Sequence, residues 1–131
     1  MKVGFSPAER RFLQGHEICR FATASKTGWP LVSPVSYVLI DDCFYIATDY
    51  GTAKLRHVKE NPRASLVVDV TDPNRAVAVQ GRVRVIEKGT EFDSAYAAFQ
   101  KKFSWVRADP WKAGEAPFLK LVPVRKSSWG V

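Results

Sequence analysis

FYIATDYGTAKLRHVKENPR, residues 44–63, carries the strongest structural signal in this sequence. It begins as an apolar strand, passes through turn-forming residues 49–51 and continues into a short helical segment with Lys54 and Arg56 near its start. Unpaired backbone N–H groups at a helix N-terminus favour a bound phosphate, especially with hydroxyl and ammonium groups beside them. The stretch therefore predicts a phosphate-binding turn. A short basic helix after a hairpin is usually only an ordinary solvent-exposed element, and that interpretation stays open.

Composition predicts one domain over residues 1–131, long enough to bury a core without disulfides. The formal net charge of +7 favours anionic ligands. The basic residues come as separated pairs rather than as one stripe, which argues against a nucleic-acid partner. These pairs are Arg10 and Arg11, Arg82 and Arg84, Lys101 and Lys102, and Arg125 and Lys126.

The cysteines and histidines show no pattern that indicates a metal site or a nucleophile with its base. Cys19 and Cys43 lie in strand-like segments without metal-ligand spacing, so both are expected in the core. His16 and His57 are isolated, and no metal or catalytic side chain is predicted. No apolar run approaches the ~20 residues that a membrane span needs, and the N-terminus lacks an apolar signal region. The sequence thus predicts a soluble, cytoplasmic protein with no membrane partner.

Hydrophobic periodicity and turn residues predict three helices and six strands. A capping box beginning at Ser6 predicts a first helix over residues 7–15, and Thr90 is a candidate cap for the third. Residues 75–87 alternate most regularly, with 77, 79, 81, 83 and 85 on one face. The predicted helices span 7–15, 52–60 and 90–103, and the predicted strands span 17–25, 30–40, 43–48, 63–70, 75–87 and 118–124.

This order of elements predicts a mainly β fold, a six-stranded antiparallel barrel with helical covers. A small closed barrel fills its interior with side chains, so a ligand must occupy an outer groove. Such a groove becomes deep when a second subunit supplies its other wall, which predicts a homodimer.

With these elements in order, the chain resembles the FMN-binding split-barrel family that includes pyridoxamine 5'-phosphate oxidase and its small relatives. The resemblance covers nearly the whole chain. Its four segments are ICRFATASKTGWPLVSPVSY (18–37), YIATDYGTAKLRHVKENPRASLVVD (45–69), VAVQGRVRVIE (77–87) and VPVRKSSWG (122–130).

The resemblance implies a set of cofactor-binding residues. Thr48, Thr52 and Lys54 would hold the flavin phosphate, and the backbone beside Ala47 and Leu55 would line the same pocket. The strand bearing Ser33, Pro34, Val35 and Ser36 would run along the flavin ring and bond its polar edge through main-chain groups. Trp129 would approach the cofactor across the dimer interface. Two simpler interpretations stay open, namely an ordinary strand at 33–36 and a tail-anchoring role for Trp129.

The chain also departs from the oxidases at cofactor-binding and substrate-binding positions. Ser33 stands where they carry a flavin-binding arginine, Val38 lies near their substrate-binding lysine, and Ala53 replaces a basic residue. The Arg-x-His motif that follows the terminal tryptophan has no counterpart before Val131. We therefore expect pyridoxamine phosphate to bind poorly.

The leading functional hypothesis is an oxidoreductase that transfers hydride to or from a small organic substrate by means of FMN. A deazaflavin-dependent reductase is the close alternative, because the positive net charge suits a long anionic tail. A non-catalytic carrier or sensor of flavin or haem is a further alternative.

Overall fold

A computed structural model of the chain describes residues 2–131. It contains six strands and four helices. The helices are α1 (Pro7–Gln14), α2 (Ala53–Glu60), α3 (Gly89–Lys102) and α4 (Ser104–Ala108). The strands are β1 (Ile18–Ala24), β2 (Pro30–Ile40), β3 (Cys43–Ala47), β4 (Arg63–Thr71), β5 (Asn74–Ile86) and β6 (Phe118–Trp129).

The strands close into an antiparallel barrel in the order β1-β2-β3-β6-β5-β4, which confirms the predicted fold class. Tight turns join several neighbours. Asp41 and Asp42 both have positive φ, 51° and 60°, as a two-residue hairpin with matching right-handed twist requires. The β4–β5 hairpin turns through a cis Asp72–Pro73 bond.

Side chains fill the barrel interior, and two helices close its ends. Phe21, Tyr37 and Phe44 are among the fully buried residues there. Leu55 and Val58 bring α2 into the same cluster. Phe12 and Leu13 do the same for α1 at the other end, where Tyr37 Oη donates to the Leu13 carbonyl at 2.5 Å. Because no space for a ligand remains inside, any binding site must lie outside the barrel.

A second hydrophobic cluster lies between α3 and the outer face of β2, β3 and β6. It contains Phe92, Phe99 and Phe103 of α3 together with Val38 and Phe118 of the sheet. Polar contacts reinforce it, since Glu91 accepts from Tyr45 Oη at 2.7 Å and from Lys120 Nζ at 2.6 Å. Hydrogen bonds from Lys120 and Tyr45 outweigh desolvation and lower the pKa of Glu91 to about 2.

The glycine that interrupts β5 marks a bulge. The pairing of β5 with β6 shifts register between Gln80 and Gly81. A Cβ at Gly81 would collide with the Val122 carbonyl and would lie 2.8 Å from Leu121 Cδ2. The close approach of the two backbones therefore requires glycine here.

Most predicted boundaries agree with the structure to within one residue, but three predictions need correction. The third helix begins at Gly89 after Lys88, which makes no side-chain capping bond, so Thr90 is not the cap. β6 continues to Trp129 rather than ending at Val124, because its second half pairs with β5. Helix α4 was not predicted, since its five residues are too short to show a helical period.

Burial agrees with two further predictions. Cys19 and Cys43 are buried with free thiols. In β5, Val77, Val79 and Val83 point into the core while Arg82 and Arg84 are exposed. Ile86, expected on the polar face, is buried because α3 covers that part of the strand.

No helix among residues 2–131 is both long enough and apolar enough to cross a membrane.

Candidate functional site

The turn between β3 and α2 is organised by two threonine hydroxyls. Thr52 is the N-cap of α2, and its Oγ1 accepts from the Leu55 N–H at 3.4 Å and donates to the Asp49 carbonyl at 3.1 Å. Thr48 Oγ1 lies 3.2 Å from Thr52 Oγ1. Because the Thr52 proton is committed to Asp49, Thr48 donates in this pair and must rotate its hydroxyl to donate to a ligand.

The first turn of α2 presents the remaining donors. The N–H groups of Ala53 and Lys54 precede the first intrahelical hydrogen bond, which Arg56 N–H makes to the Thr52 carbonyl at 3.2 Å. Lys54 is half-buried, and its ammonium forms no ion pair within the described part of the chain. The donor set therefore consists of helix N–H groups and Lys54, with the Arg56 guanidinium held nearby on the Gly51 carbonyl at 3.3 Å, and it suits a phosphate monoester.

Two contacts fix this turn to the barrel. His57 Nδ1 lies 2.9 Å from Oγ1 of the buried Thr23, so the second turn of α2 is held against β1. Tyr50 Oη donates to Glu87 Oε1 at 2.9 Å just after β5 ends, and desolvation together with this carboxylate raises the pKa of Tyr50. The turn between β3 and α2 is thus anchored on both sides.

The β2 strand has an open edge beside this turn. It pairs with β1 along residues 30–36 but with β3 only along residues 37–40, because β3 ends at Ala47. The Tyr37 N–H points toward β1, donating to the Glu17 carbonyl at 3.3 Å. Since backbone groups alternate along a strand, Pro34 turns its carbonyl to the open edge, where its missing N–H breaks no ladder.

The side chains of this segment alternate between the two faces of the sheet. Val35 points into the core and is buried, Ser33 and Ser36 are half-buried, and Pro34 is exposed. The segment therefore offers backbone groups at its edge and little side-chain chemistry.

Nine of the ten predicted cofactor residues lie on two neighbouring parts of the chain. Ala47, Thr48 and the segment from Thr52 to Leu55 follow one another from the end of β3 into α2, which closes one end of the barrel, and residues 33–36 form the open edge of β2 that begins where β3 ends. Trp129 lies at the opposite end of the barrel. It pairs with Ala76, and its Nε1 donates to Asn74 Oδ1 at 3.2 Å. Within one chain, Trp129 is therefore not part of the group.

A cleft of about 490 Å³ adjoins Thr48, and no pattern in the sequence predicts it. We call it the tryptophan cleft. It is lined by residues 47–49, Trp105, residues 109–111 and residues 115–116. Apart from Asp49, its aromatic and acidic side chains come from α4 and the loop after it, about 60 residues away in sequence from Thr48, so periodicity could not have joined them.

Two basic grooves lie on the outer face of the barrel. One, of about 490 Å³, includes Arg63, Arg82 and Arg125. The other, of about 660 Å³, includes Arg20, Lys126 and the exposed Val32. Both lie on strands β1, β4, β5 and β6, away from the face that α3 covers.

The residues present fit a flavin phosphate better than a metal centre. Hydroxyls, helix N–H groups and Lys54 are phosphate donors. No group of three or more His, Cys, Asp or Glu side chains within residues 2–131 is arranged to hold a metal ion. His16 Nδ1 lies 2.7 Å from the Phe12 carbonyl, and His57 Nδ1 is engaged by Thr23.

Comparisons with known proteins agree with the fold. The sequence profile of the family described as Pyridoxamine 5'-phosphate oxidase matches residues 5–129. A conserved hypothetical protein of Mycobacterium tuberculosis is similar in structure, with TM-score 0.80 at 19% identity over 98% of this chain and 86% of that chain. The heme storage protein HutZ of Vibrio cholerae has TM-score 0.81 at 14% identity over 97% of this chain and 94% of its own. A Listeria innocua protein provisionally assigned as a pyridoxamine 5'-phosphate oxidase has TM-score 0.78 at 12% identity over 95% and 97%.

Proposed function

Because the chain belongs to the pyridoxamine 5'-phosphate oxidase family, we propose that it is a flavin-dependent oxidoreductase whose cofactor is FMN. One observation carries the proposal. The open edge of β2 begins opposite the end of β3, where the chain passes into the turn at residues 48–52 (the phosphate turn), so main-chain groups for a ring and donors for a phosphate are available on adjoining segments.

In this proposal the chain's residues bind and orient the cofactor. Lys54 and the first N–H groups of α2 hold the phosphate, while Thr48 and Thr52 shape the turn. Ala47 and Leu55 contribute the backbone beside it. Residues 33–36 bond the polar edge of the ring through their main chain. When bound, the flavin supplies hydride transfer to or from a small organic substrate.

The proposed site is completed by a second copy of the chain. The open edge of β2 and the uncovered face of β1, β4 and β5 adjoin each other, and exposed Val32 lies between them. Trp129 lies at the far end of its own barrel, so only the partner's Trp129 could approach the flavin. We propose a homodimer with the cofactor at the subunit interface.

The substrate is a small molecule other than pyridoxamine phosphate. Val38, near the position of the oxidases' substrate lysine, is 3% exposed and packs beneath α3. Ser33 offers no positive charge where those enzymes use arginine. The chain thus lacks the cationic group near Val38 that binds the phosphorylated vitamin in the oxidases, and at Ser33 a cofactor contact is lost or replaced.

A deazaflavin is the second candidate cofactor, and the basic grooves favour it. Asn61, the C-cap of α2, lines the groove that contains Arg63, Arg82 and Arg125. A long anionic tail could run from the phosphate turn into this groove.

A haem carrier is a third candidate, and the similarity to the heme storage protein of Vibrio cholerae favours it. At 14% identity, this similarity is evidence of a shared fold and not of a shared ligand. In both histidines the protein engages Nδ1, so Nε2 is the atom that would have to ligate the haem iron.

Visible absorption spectra during separate titrations with FMN, a deazaflavin coenzyme and haem test the proposal. We expect saturable binding of FMN, and turnover when a reduced nicotinamide and a quinone or nitro acceptor are added. Binding of the deazaflavin alone would make the protein a deazaflavin-dependent reductase. Binding of haem alone would support the carrier, and FMN that binds but is reduced by no donor would contradict the enzymatic part of the proposal.

A further inference from the structure

The tryptophan cleft has aromatic walls held in place by the core. The rings of Trp105 and Trp111 are nearly parallel, with centroids 6.2 Å apart and planes at 9°. Trp105 is 44% exposed. The Trp111 N–H donates to Tyr96 Oη at 3.1 Å, and the Trp111 ring meets the Tyr96 ring edge-on at 4.9 Å. The cleft thus offers indole surface on a fixed support.

The charge of this cleft is opposite to that of the whole chain. Asp49, Asp109 and Glu115 line it, and no lysine or arginine does. All three carboxylates are exposed, and none takes part in an ion pair among residues 2–131. The chain carries a net charge of +7, so this local excess of negative charge is a distinct feature of the surface.

The cations closest in sequence to Asp109 and Glu115 form no ion pair with them in the described part of the chain. The Lys112 backbone N–H, rather than its ammonium, donates to Glu115 Oε1 at 2.8 Å. The Arg107 guanidinium donates to the Gln100 carbonyl. The three carboxylates therefore remain available to a ligand.

A hydrogen-bond donor in the wall also lacks a partner. Trp111 Nε1 is buried and has no acceptor within the described part of the chain. A buried donor without a partner is costly, and a bound acceptor group reached by a small movement of the loop would satisfy it.

We propose that the tryptophan cleft binds a small planar organic cation that also carries a hydrogen-bond acceptor. A cation over an indole face is attracted by the ring quadrupole, and the carboxylates add Coulombic attraction. The same carboxylates repel anions, so a flavin phosphate belongs on the Lys54 side of Thr48. The inference does not depend on the flavin, because binding can be measured in cofactor-free protein.

The probe is 1-methylnicotinamide, a planar cation with a carboxamide oxygen, and its control is nicotinamide, which is neutral and nearly the same shape. The chain has four tryptophans, whose indole N–H signals in ¹H–¹⁵N spectra can be assigned with single Trp→Phe variants. We expect 1-methylnicotinamide to shift the signals of Trp105 and Trp111 saturably, with Trp29 and Trp129 unchanged. Nicotinamide should bind about ten-fold more weakly, and higher salt should weaken the cation's binding.

Charge variants keep the test independent of folding defects. Asp109→Asn should weaken binding of 1-methylnicotinamide about three-fold or more, because an exposed carboxylate is lost from the cleft. Asp93→Asn, at an exposed position on α3, removes the same charge elsewhere and should leave binding unchanged. Equal affinity for the cation and its neutral analogue, or no saturable shift at Trp105 and Trp111, would overturn the proposal.

Discussion

At the scale of single residues, Lys54 is the side chain on which the proposed phosphate site most depends. It is the only lysine in the first turn of α2, where Ala53 replaces a basic residue of the oxidases, and the nearby Arg56 guanidinium donates to the Gly51 carbonyl at 3.3 Å. Because the protein engages Arg56, the charge-assisted hydrogen bond to a phosphate is assigned to Lys54.

Lys54→Ala should weaken FMN binding by ~1.5 to 3 kcal/mol, the usual contribution of a hydrogen bond to a charged group. Flavin fluorescence or calorimetry measures this affinity. Lys59→Ala is the matched control, because Lys59 is exposed near the other end of the same helix. If both variants bind FMN like the wild type, the phosphate lies elsewhere.

Thr52 has a structural role as well as a proposed binding role, since its hydroxyl caps α2. Thr52→Ala should reduce the free energy of unfolding by about 0.5 to 2 kcal/mol and also weaken FMN binding. Thr52→Ser keeps the hydroxyl and should restore most of both. Urea denaturation measures the free energy of unfolding of the two variants, and an FMN titration measures their affinity. An alanine variant as stable as the wild type would contradict the capping role.

At the scale of elements, α1 is attached to the barrel by a carboxylate with two roles. Glu9 completes the capping box of Ser6 and also accepts from Lys126 Nζ at 2.7 Å and Ser128 Oγ at 2.8 Å on β6. Desolvation opposes the buried charge, but these hydrogen bonds together lower the pKa of Glu9 to about 2. The contact therefore depends on the ionised form.

The pH dependence follows from this lowered pKa. A carboxyl whose pKa is lower in the folded state contributes stability above its unfolded value of 4.5 and loses it as pH falls toward about 2. Glu9→Gln should therefore be less stable than wild type at pH 7, and the difference in unfolding free energy should shrink at pH 3. Glu60→Gln, at an exposed position, should show no such trend. A Glu9→Gln deficit that stays constant from pH 7 to pH 3 would contradict the ionised contact.

Individual elements also show which parts of the fold could be predicted from the sequence. Alternation in β5, the capping box at Ser6 and the turn at residues 41–42 are local signals, and each predicted its element correctly. The second half of β6 has no alternating pattern, because its strand conformation depends on pairing with β5. The open edge of β2 likewise depends on where β3 ends, and only the folded chain shows it.

At the scale of the whole molecule, the helices leave one side of the barrel uncovered. Helices α3 and α4 pack on one face, while α1 and α2 close the ends. The remaining face carries exposed Val32 at 64%, with Leu31 and Trp29 nearby in sequence at 38% and 77%. Exposed apolar groups of this size are typical of an interface.

Val32→Glu should convert the proposed homodimer into monomers, because it places a charge in the uncovered face. Analytical ultracentrifugation measures the change. Ala113→Glu adds the same charge on an exposed loop near α4 and should leave the dimer intact. A wild-type chain that is monomeric at all concentrations with FMN bound would contradict the interfacial site.

The central claim is that the turn before α2 holds the phosphate of a flavin, and a comparison of FMN with riboflavin tests it most directly. The two ligands share the ring and differ in the phosphate, so their affinities for the wild-type protein isolate that group. We predict that FMN binds at least about ten-fold more tightly than riboflavin, as one charge-assisted contact implies. Equal affinities would contradict the phosphate site.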